Sequence, residues 1–497
     1  MNLFFKIKSS FSLLLGCLSL LLCTASTLFS QPNSTGPATA KVFRAGAAMS
    51  NITPKIGTSI NGLFQDRLVQ NIHDETHARC LVLDDGQTCL AIVVMDLCMV
   101  SREVLDKAKA RAHEATGIPV ENMLMSATHA HSVGTAVPLF QSSPDPAYID
   151  FLSERAADAV IRAYNNRVPA RIGWGVGHEP TQVFNRRWKM KPGTPMPNPF
   201  GGQDQVKMNP GIGNPNLLEP AGPTDPEVPV ISIQALDSTP IAVLANYSLH
   251  YVGGTPDREI SADYYGLFAS RIRELLGADK QALPFVGMMT NGTSGDINNV
   301  NVLEEKGAPE APYTHMQMVA NIVAAEAYKA ILNTKYQNWV SLAAFQKEIF
   351  LGVRKPDKKE IKRAHDIVSN AKGPVMTTTE EGYARETLFM KDYPDHVPVI
   401  LQAFRIGDLA ITAIPTEVFV EIGLELKAKS PFKPTFNIEL ANGYNGYLPT
   451  PAQHKLGGYE TWRARSSYLE VGAAPKITET LFELLNKLKA SHTELSN

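Results

Sequence analysis

A strand, a helix and a second strand follow one another between Arg79 and Thr128, and a pair of histidines comes straight after them. Arg79–Leu83 and Thr88–Met95 are apolar runs on either side of Asp84-Asp85-Gly86-Gln87, the pattern of a β-hairpin. Arg102–Thr116 has helical periodicity and stops at Gly117-Ile118-Pro119, and Met123–Thr128 is the next strand. Alternating strands and helices build α/β layers, and such layers place ligands at the C-terminal ends of strands. Ala127-Thr128-His129-Ala130-His131-Ser132 sits at such an end. If extended backbone runs into it, residues two apart point to one side, and His129 and His131 share one space. Imidazoles satisfied by backbone carbonyls would give the same pattern without any chemistry.

The rest of the chain repeats the theme. Helices are predicted over Tyr148–Asn165, Asp263–Leu276, Met316–Leu332 and Ile477–Ala490, with a charged helical excursion, Asp357–Ser369, that shows no evident chemistry. Strands are predicted over Ala170–Val176, Val230–Ala235, Ile241–Ser248, Pro284–Met289, Val340–Leu351, Val399–Ile406 and Leu409–Ile414, and Val183–Trp188, after the first of these, carries Arg186 and Arg187. Several end in reactive side chains: His250 after one, the turn Thr290–Asn299 after another, Pro415-Thr416-Glu417 after a third. Asn442–Thr450 is a glycine and tyrosine loop. Lys189–Pro223 is dense in Pro, Gly and Asn, and with Trp188, Met190 and Phe200 to pack on it reads as an ordered loop forming one wall of a site. With no repeat and no linker, the expected fold is α/β: a single large domain over residues 42–497, with mixed β-sheets flanked by helices and a metal site at strand C-terminal ends.

Of the 497 residues 44% are hydrophobic and 19% charged, a globular balance. Basic and acidic residues nearly cancel, 47 against 49, and no basic stripe points to nucleic acid. Residues 1–30 read as a cleaved secretory signal, with Lys6 and Lys8 ahead of an apolar run from Phe11 to Leu22. Residues 31–41 read as a disordered lead-in. Leu14-Leu15-Gly16-Cys17 resembles a lipoprotein box, but the apolar run continues past Cys17, which favours a secreted or periplasmic protein without a transmembrane segment in its mature chain. Cys17 and Cys23 leave with the signal. Cys80, Cys89 and Cys98 remain in apolar runs, an odd number that suggests buried free thiols rather than a disulfide framework.

Two imidazoles and a carboxylate from different strands are the usual ligand set of a catalytic zinc. Singly, His250 is equally a core histidine, and Glu417 an acid at a helix N-terminus. Taken with their neighbours, these residues make the chain resemble the neutral/alkaline (non-lysosomal) ceramidase family from about Val42 to its end. The family's His-Thr-His-Ser-Gly segment is similar to His129-Ala130-His131-Ser132-Val133, and its Asp-[IL]-Gly-Met-Val-Ser to Asp96-Leu97-Cys98-Met99-Val100-Ser101. Arg186 in Asn185-Arg186-Arg187 matches its substrate-holding arginine, and Pro415-Thr416-Glu417 its Pro-Gly-Glu. Tyr447 and Tyr459-Glu460 keep its twelve-residue spacing between a zinc-ligating and a substrate-contacting tyrosine.

The resemblance implies a Zn2+-dependent hydrolase of an amide (N-acyl) bond, with His129, His250, Glu417 and Tyr447 as zinc ligands and His131, Arg186 and Tyr459 around the substrate. It implies the amidase domain alone, without the family's C-terminal immunoglobulin-like domain. The family's nucleophilic serine, in Gly-Asp-Val-Ser, falls on Asn298 of Gly295-Asp296-Ile297-Asn298. An amide is no such nucleophile, so direct attack by water is expected, with Asn298 orienting the substrate. A small-molecule, lipid or glycan substrate fits this reading. The polar Lys189–Pro223 loop keeps a glycan- or ester-directed hydrolase open, and a zinc-containing binding protein without turnover is the third reading.

Overall fold

Both faces of the central strands are buried, which is why they read as unbroken apolar runs. Ala78, Cys80 and Val82 face one layer while Leu81 and Leu83 face the other. Ala91, Val93 and Met95 divide from Leu90, Ile92 and Val94 in the same way. The structure, a computed structural model, describes residues 41–305 and 307–496. The expected signal, and all of the lead-in but Lys41, lie outside those residues.

Eight strands form the larger sheet, in the order Val286–Asn291, Pro240–Tyr247, Glu227–Ala235, Val168–His178, Arg44–Asn51, His77–Asp84, Cys89–Met95, Met123–Ala127. The two outermost pairings are parallel and the inner ones antiparallel. Helices Arg102–Thr116 and Pro146–Asn165 cover half of one face, and Asp263–Leu275 and Thr314–Leu332 the other half. The opposite face packs on a four-stranded sheet of Leu342–Gly352, His396–Ile406, Leu409–Ala413 and Thr435–Ile438. Helices Val420–Lys429 and Ala473–Ser496 cover that sheet's far side. The layers are therefore helix, sheet, sheet, helix, the α/β domain with mixed sheets that the sequence predicts.

A short seam closes this arrangement. After Ile438 the chain crosses from one edge of the eight-stranded sheet to the other: the Glu439 N–H donates to the Asn291 carbonyl (3.2 Å), and the Ala127 N–H donates to Leu440 (3.2 Å). The Asn442 N–H then donates to Met125 (2.7 Å). The strand ends after Ala127, Tyr247 and Ala413 are thereby gathered at one place.

Some expectations need correction. Lys189–Pro223 is not structureless: Val206–Met208 and Leu217–Pro220 flank Arg187–Met190 in a three-stranded sheet, with Trp188 and Met190 packed on Val302. Its strands are too short and too interrupted by Pro and Gly to show periodicity. Beyond the Asp357–Ser369 excursion the chain forms a second helix that the sequence reading did not predict, Thr379–Met390, opened by a capping box between Thr378 and Glu381. All three described cysteines are free, but Cys89 is only half-buried. Among the described residues no helix is long and apolar enough to cross a membrane.

Candidate metal centre

His129, His250 and Glu417 meet with their ligand atoms all within 4.8 Å of one another, and each is about 2% exposed or less. They come from three strand ends. The Thr128 and His129 N–H groups donate to Met95 and Leu97 (both 2.9 Å), so the neighbouring parallel strand fixes the loop after Ala127. His129 then turns into the left-handed region, φ 72°. The extended-strand argument for His129 and His131 therefore fails in its geometry: the turn, not strand alternation, brings their Nε2 atoms to 3.2 Å. His250 follows the Pro240–Tyr247 strand. Glu417 pairs laterally with Tyr447, held by its own N–H to Gly446 (2.9 Å). Gly295 closes the floor, where a Cβ would lie 2.7 Å from the Glu417 carbonyl oxygen.

The electrical balance of this group is unusual. His129 Nδ1 lies 2.8 Å from the Cys98 carbonyl, and His250 Nδ1 3.1 Å from the Ser294 carbonyl. A carbonyl only accepts, so each Nδ1 carries the ring's proton and each neutral Nε2 presents a lone pair. Those two Nε2 atoms are 3.0 Å apart. Glu417 Oε2, 3.2 Å from His129 Nε2, is buried with no hydrogen-bond donor. Acceptors facing acceptors in a dry interior require a positive charge between them. The titration tendencies show the same demand for positive charge, which a second proton on His129 Nε2 also answers. Burial opposes charge on His129, yet Cys98 and Glu417 outweigh it and raise its pKa well above the usual range. Burial, with His129 and Arg186 adding to it, pushes His250 and His131 well below theirs. The donor set fits a cation such as zinc. Cys98, His129 and His131 form a second grouping, but its use of the thiol would compete for His129 Nδ1, already committed to a carbonyl.

Around these three stand the other predicted residues. Arg186 places Nη1 3.3 Å from His250 Nε2, while Nη2 donates to Gly295 O (2.8 Å) and to the Tyr447 hydroxyl (3.1 Å). Glu460 receives Arg186 Nε (3.0 Å) and Arg187 Nη1 (2.6 Å), a buried triad. Tyr459 stands edge-on to Tyr447, ring centroids 5.9 Å apart. Asn298 is largely committed: Nδ2 donates to Asn209 Oδ1 (2.8 Å) and Oδ1 accepts the Val300 N–H (3.0 Å). One N–H and one lone pair remain for a ligand.

A cleft of about 310 Å3 opens onto Arg186, His250, Tyr251 and Asn298, with Asn209 and Ile212 of the 189–223 segment in its wall. A second cavity, of about 480 Å3, is lined by Met196, Met208, Tyr383, Tyr459 and Trp462. The expectation that this segment offers little apolar surface is thus corrected: its methionines face that cavity. Several contacts escape the sequence reading. Tyr444 donates to Glu417 Oε1 (2.9 Å), and Tyr251 stacks on His131 at 3.8 Å. Glu460 and Tyr444 lie inside motifs already singled out and could have been found there; Tyr251 follows His250 directly.

No protein-family model matches the chain. Among solved structures it is similar to a neutral ceramidase from Pseudomonas aeruginosa, with TM-score 0.70 and 17% identity over 91% of this chain and 75% of that one. It is also similar to a ceramidase complexed with C2, with TM-score 0.68 and 16% identity over 91% and 76% of the two chains. The chain shares their fold.

Proposed function

We propose that the chain is a zinc-dependent hydrolase acting on an amide (N-acyl) bond by direct attack of water. The observation that carries this reading is the convergence of two imidazole lone pairs and an unpartnered carboxylate oxygen beside a cleft. His129, His250 and Glu417 would hold the metal, with Tyr447, Glu417's lateral neighbour, as the fourth ligand. Zinc, when bound, supplies a Lewis acid and brings the pKa of water toward neutrality.

The chain's own residues do the rest. Arg186 stays charged, since Tyr447 and Glu460 outweigh the burial that opposes it, and so offers a fixed positive charge to an oxyanion. His131, kept neutral by burial and by His129 and Arg186, stands beside the metal ligands as a polar wall for the substrate. Tyr459, edge-on to Tyr447 and in the wall of the apolar cavity, can bound the scissile group. The remaining N–H and lone pair of Asn298 orient the substrate. That apolar cavity suits an acyl chain, which favours the amide reading and accords with the ceramidase neighbours. The amides of Asn209 and Asn298 in the cleft wall support a second reading, a glycan- or ester-directed hydrolase. Export to the periplasm or medium rests on the leader-like residues 1–30.

Metal analysis of the purified protein, with N-acyl, ester and glycoside substrates before and after chelation, tests this. About one zinc per chain, with amide hydrolysis lost on chelation and restored by zinc, is expected. Full zinc occupancy without turnover of any of them would leave a binding protein.

A further inference from the structure

The Glu439 carboxylate is 0% exposed at the start of the seam, and its oxygens reach the backbones of two separate ligand loops. Oε2 accepts the N–H of Val418 (2.7 Å), the residue after Glu417, and the N–H of Ser294 (3.3 Å). Oε1 accepts the Ser294 hydroxyl (2.7 Å). Ser294 is the residue whose carbonyl fixes His250 Nδ1 at 3.1 Å, and its hydroxyl lies 3.4 Å from the same nitrogen. One carboxylate therefore ties the loop that carries Glu417 to the loop that orients His250. Its own N–H, bonded to Asn291, anchors it to the strand end from which the Ser294 turn departs.

From this geometry we infer that Glu439 is a positioning residue for the cation site, setting the distance and orientation of His250 relative to Glu417. The inference rests on the metal reading above. Burial pushes the Glu439 carboxyl up to about 8, so keeping it ionised with hydrogen bonds rather than a lysine or arginine as partners is costly. A centre that gathers positive charge nearby compensates that cost, and by holding Ser294 the carboxyl fixes the carbonyl that orients the His250 ring. Glutamine has the same shape and could keep the Val418 contact, so a purely structural role would survive Glu439→Gln.

The test measures zinc affinity by chelator competition, the visible spectrum of the cobalt-substituted protein, and the melting temperature of the metal-free protein, for wild type, Glu439→Gln and Ser294→Ala. Expected for Glu439→Gln is zinc affinity roughly 10–100-fold weaker, a changed cobalt spectrum and a metal-free melting temperature close to wild type. Ser294→Ala, which keeps the carbonyl but removes the hydroxyl link, should show a smaller loss in the same direction and decides the matter should Glu439→Gln fail to fold. Wild-type affinity and an unchanged cobalt spectrum in a folded Glu439→Gln protein would overturn the positioning role while leaving the metal reading intact. A wild-type protein that binds no zinc would overturn both.

Discussion

The seam Glu439–Asn442 has a buried charge at each end, and the two ends behave differently. At the far end Asn442 Oδ1 accepts from Lys109 Nζ (2.7 Å) and from the Met125 N–H (3.2 Å), and its Nδ2 donates to Gln402 Oε1 (2.9 Å). Gln402 in turn donates to Glu121 O (2.7 Å). In that chain donors face acceptors, and the network ties the sheet edge together. At the near end, Glu439 feeds a group in which His129, His250 and Glu417 turn acceptors on one another. Burial and connectivity are alike at both ends. What distinguishes the near end is an excess of acceptors over donors, which a bound cation would settle.

Breaking the unbalanced end should cost most. His129→Ala removes the nitrogen that lies within 3.2 Å of both His250 Nε2 and Glu417 Oε2, and zinc content and hydrolysis should fall together. The rate should drop by more than the roughly 10²–10³-fold that one lost oxyanion contact costs. Full activity with zinc retained would place the metal elsewhere. Asn298→Ala should cost roughly 10–1000-fold, the range for one positioned polar contact, and no acyl-enzyme should accumulate in mass spectra of the working enzyme. A trapped covalent intermediate would replace direct water attack with a side-chain nucleophile.

The two ends also differ in how legible they are in the sequence. His129, His250 and Glu417 could be picked out because each follows an apolar run, and strand ends are where layered folds expose side chains, whereas Tyr447 stands out only through the family's tyrosine spacing. Arg102–Thr116 was legible to the residue, since Gly117 supplies the left-handed cap, φ 74°. Glu439 carries no such mark. Its partners are 21 and 145 residues away, and it follows a strand of four residues, Thr435–Ile438, too short to show alternation. The left-handed turn at His129 was equally hidden, because histidine in that conformation is set by the neighbouring strand rather than by its own preference.

Substrate choice should respond more gently than the metal centre. Met208 lines the apolar cavity, and Met208→Asp would put a charge where an acyl chain is proposed to lie. Long-chain N-acyl substrates should lose roughly 10–200-fold in kcat/KM, while short-chain ones change little. An equal loss for both would move the acyl chain out of this cavity, and an unchanged profile would favour the polar cleft and a glycan- or ester-like substrate.

The smallest effect is expected at the balanced end, and its sign is opposite. Lys109 is 5% exposed, and burial lowers its pKa from 10.5 to about 8. Because the unfolded chain binds the proton more tightly, stability rises as pH climbs from about 8 to 10.5, and below pH 8 the full cost of the buried charge is present. Lys109→Met removes that cost, and Asn442 Oδ1 still accepts the Met125 N–H. Stability at pH 7 should therefore rise by roughly 1–3 kcal/mol, discounted from the full shift for the lost hydrogen bond. The gain should fade between pH 8 and 10.5, with zinc affinity and activity unchanged. Denaturant melts across that pH window measure it. A variant that is less stable at pH 7, or that binds zinc more weakly, would show that the charge at this end also serves the centre, and the contrast between the two ends of the seam would be lost.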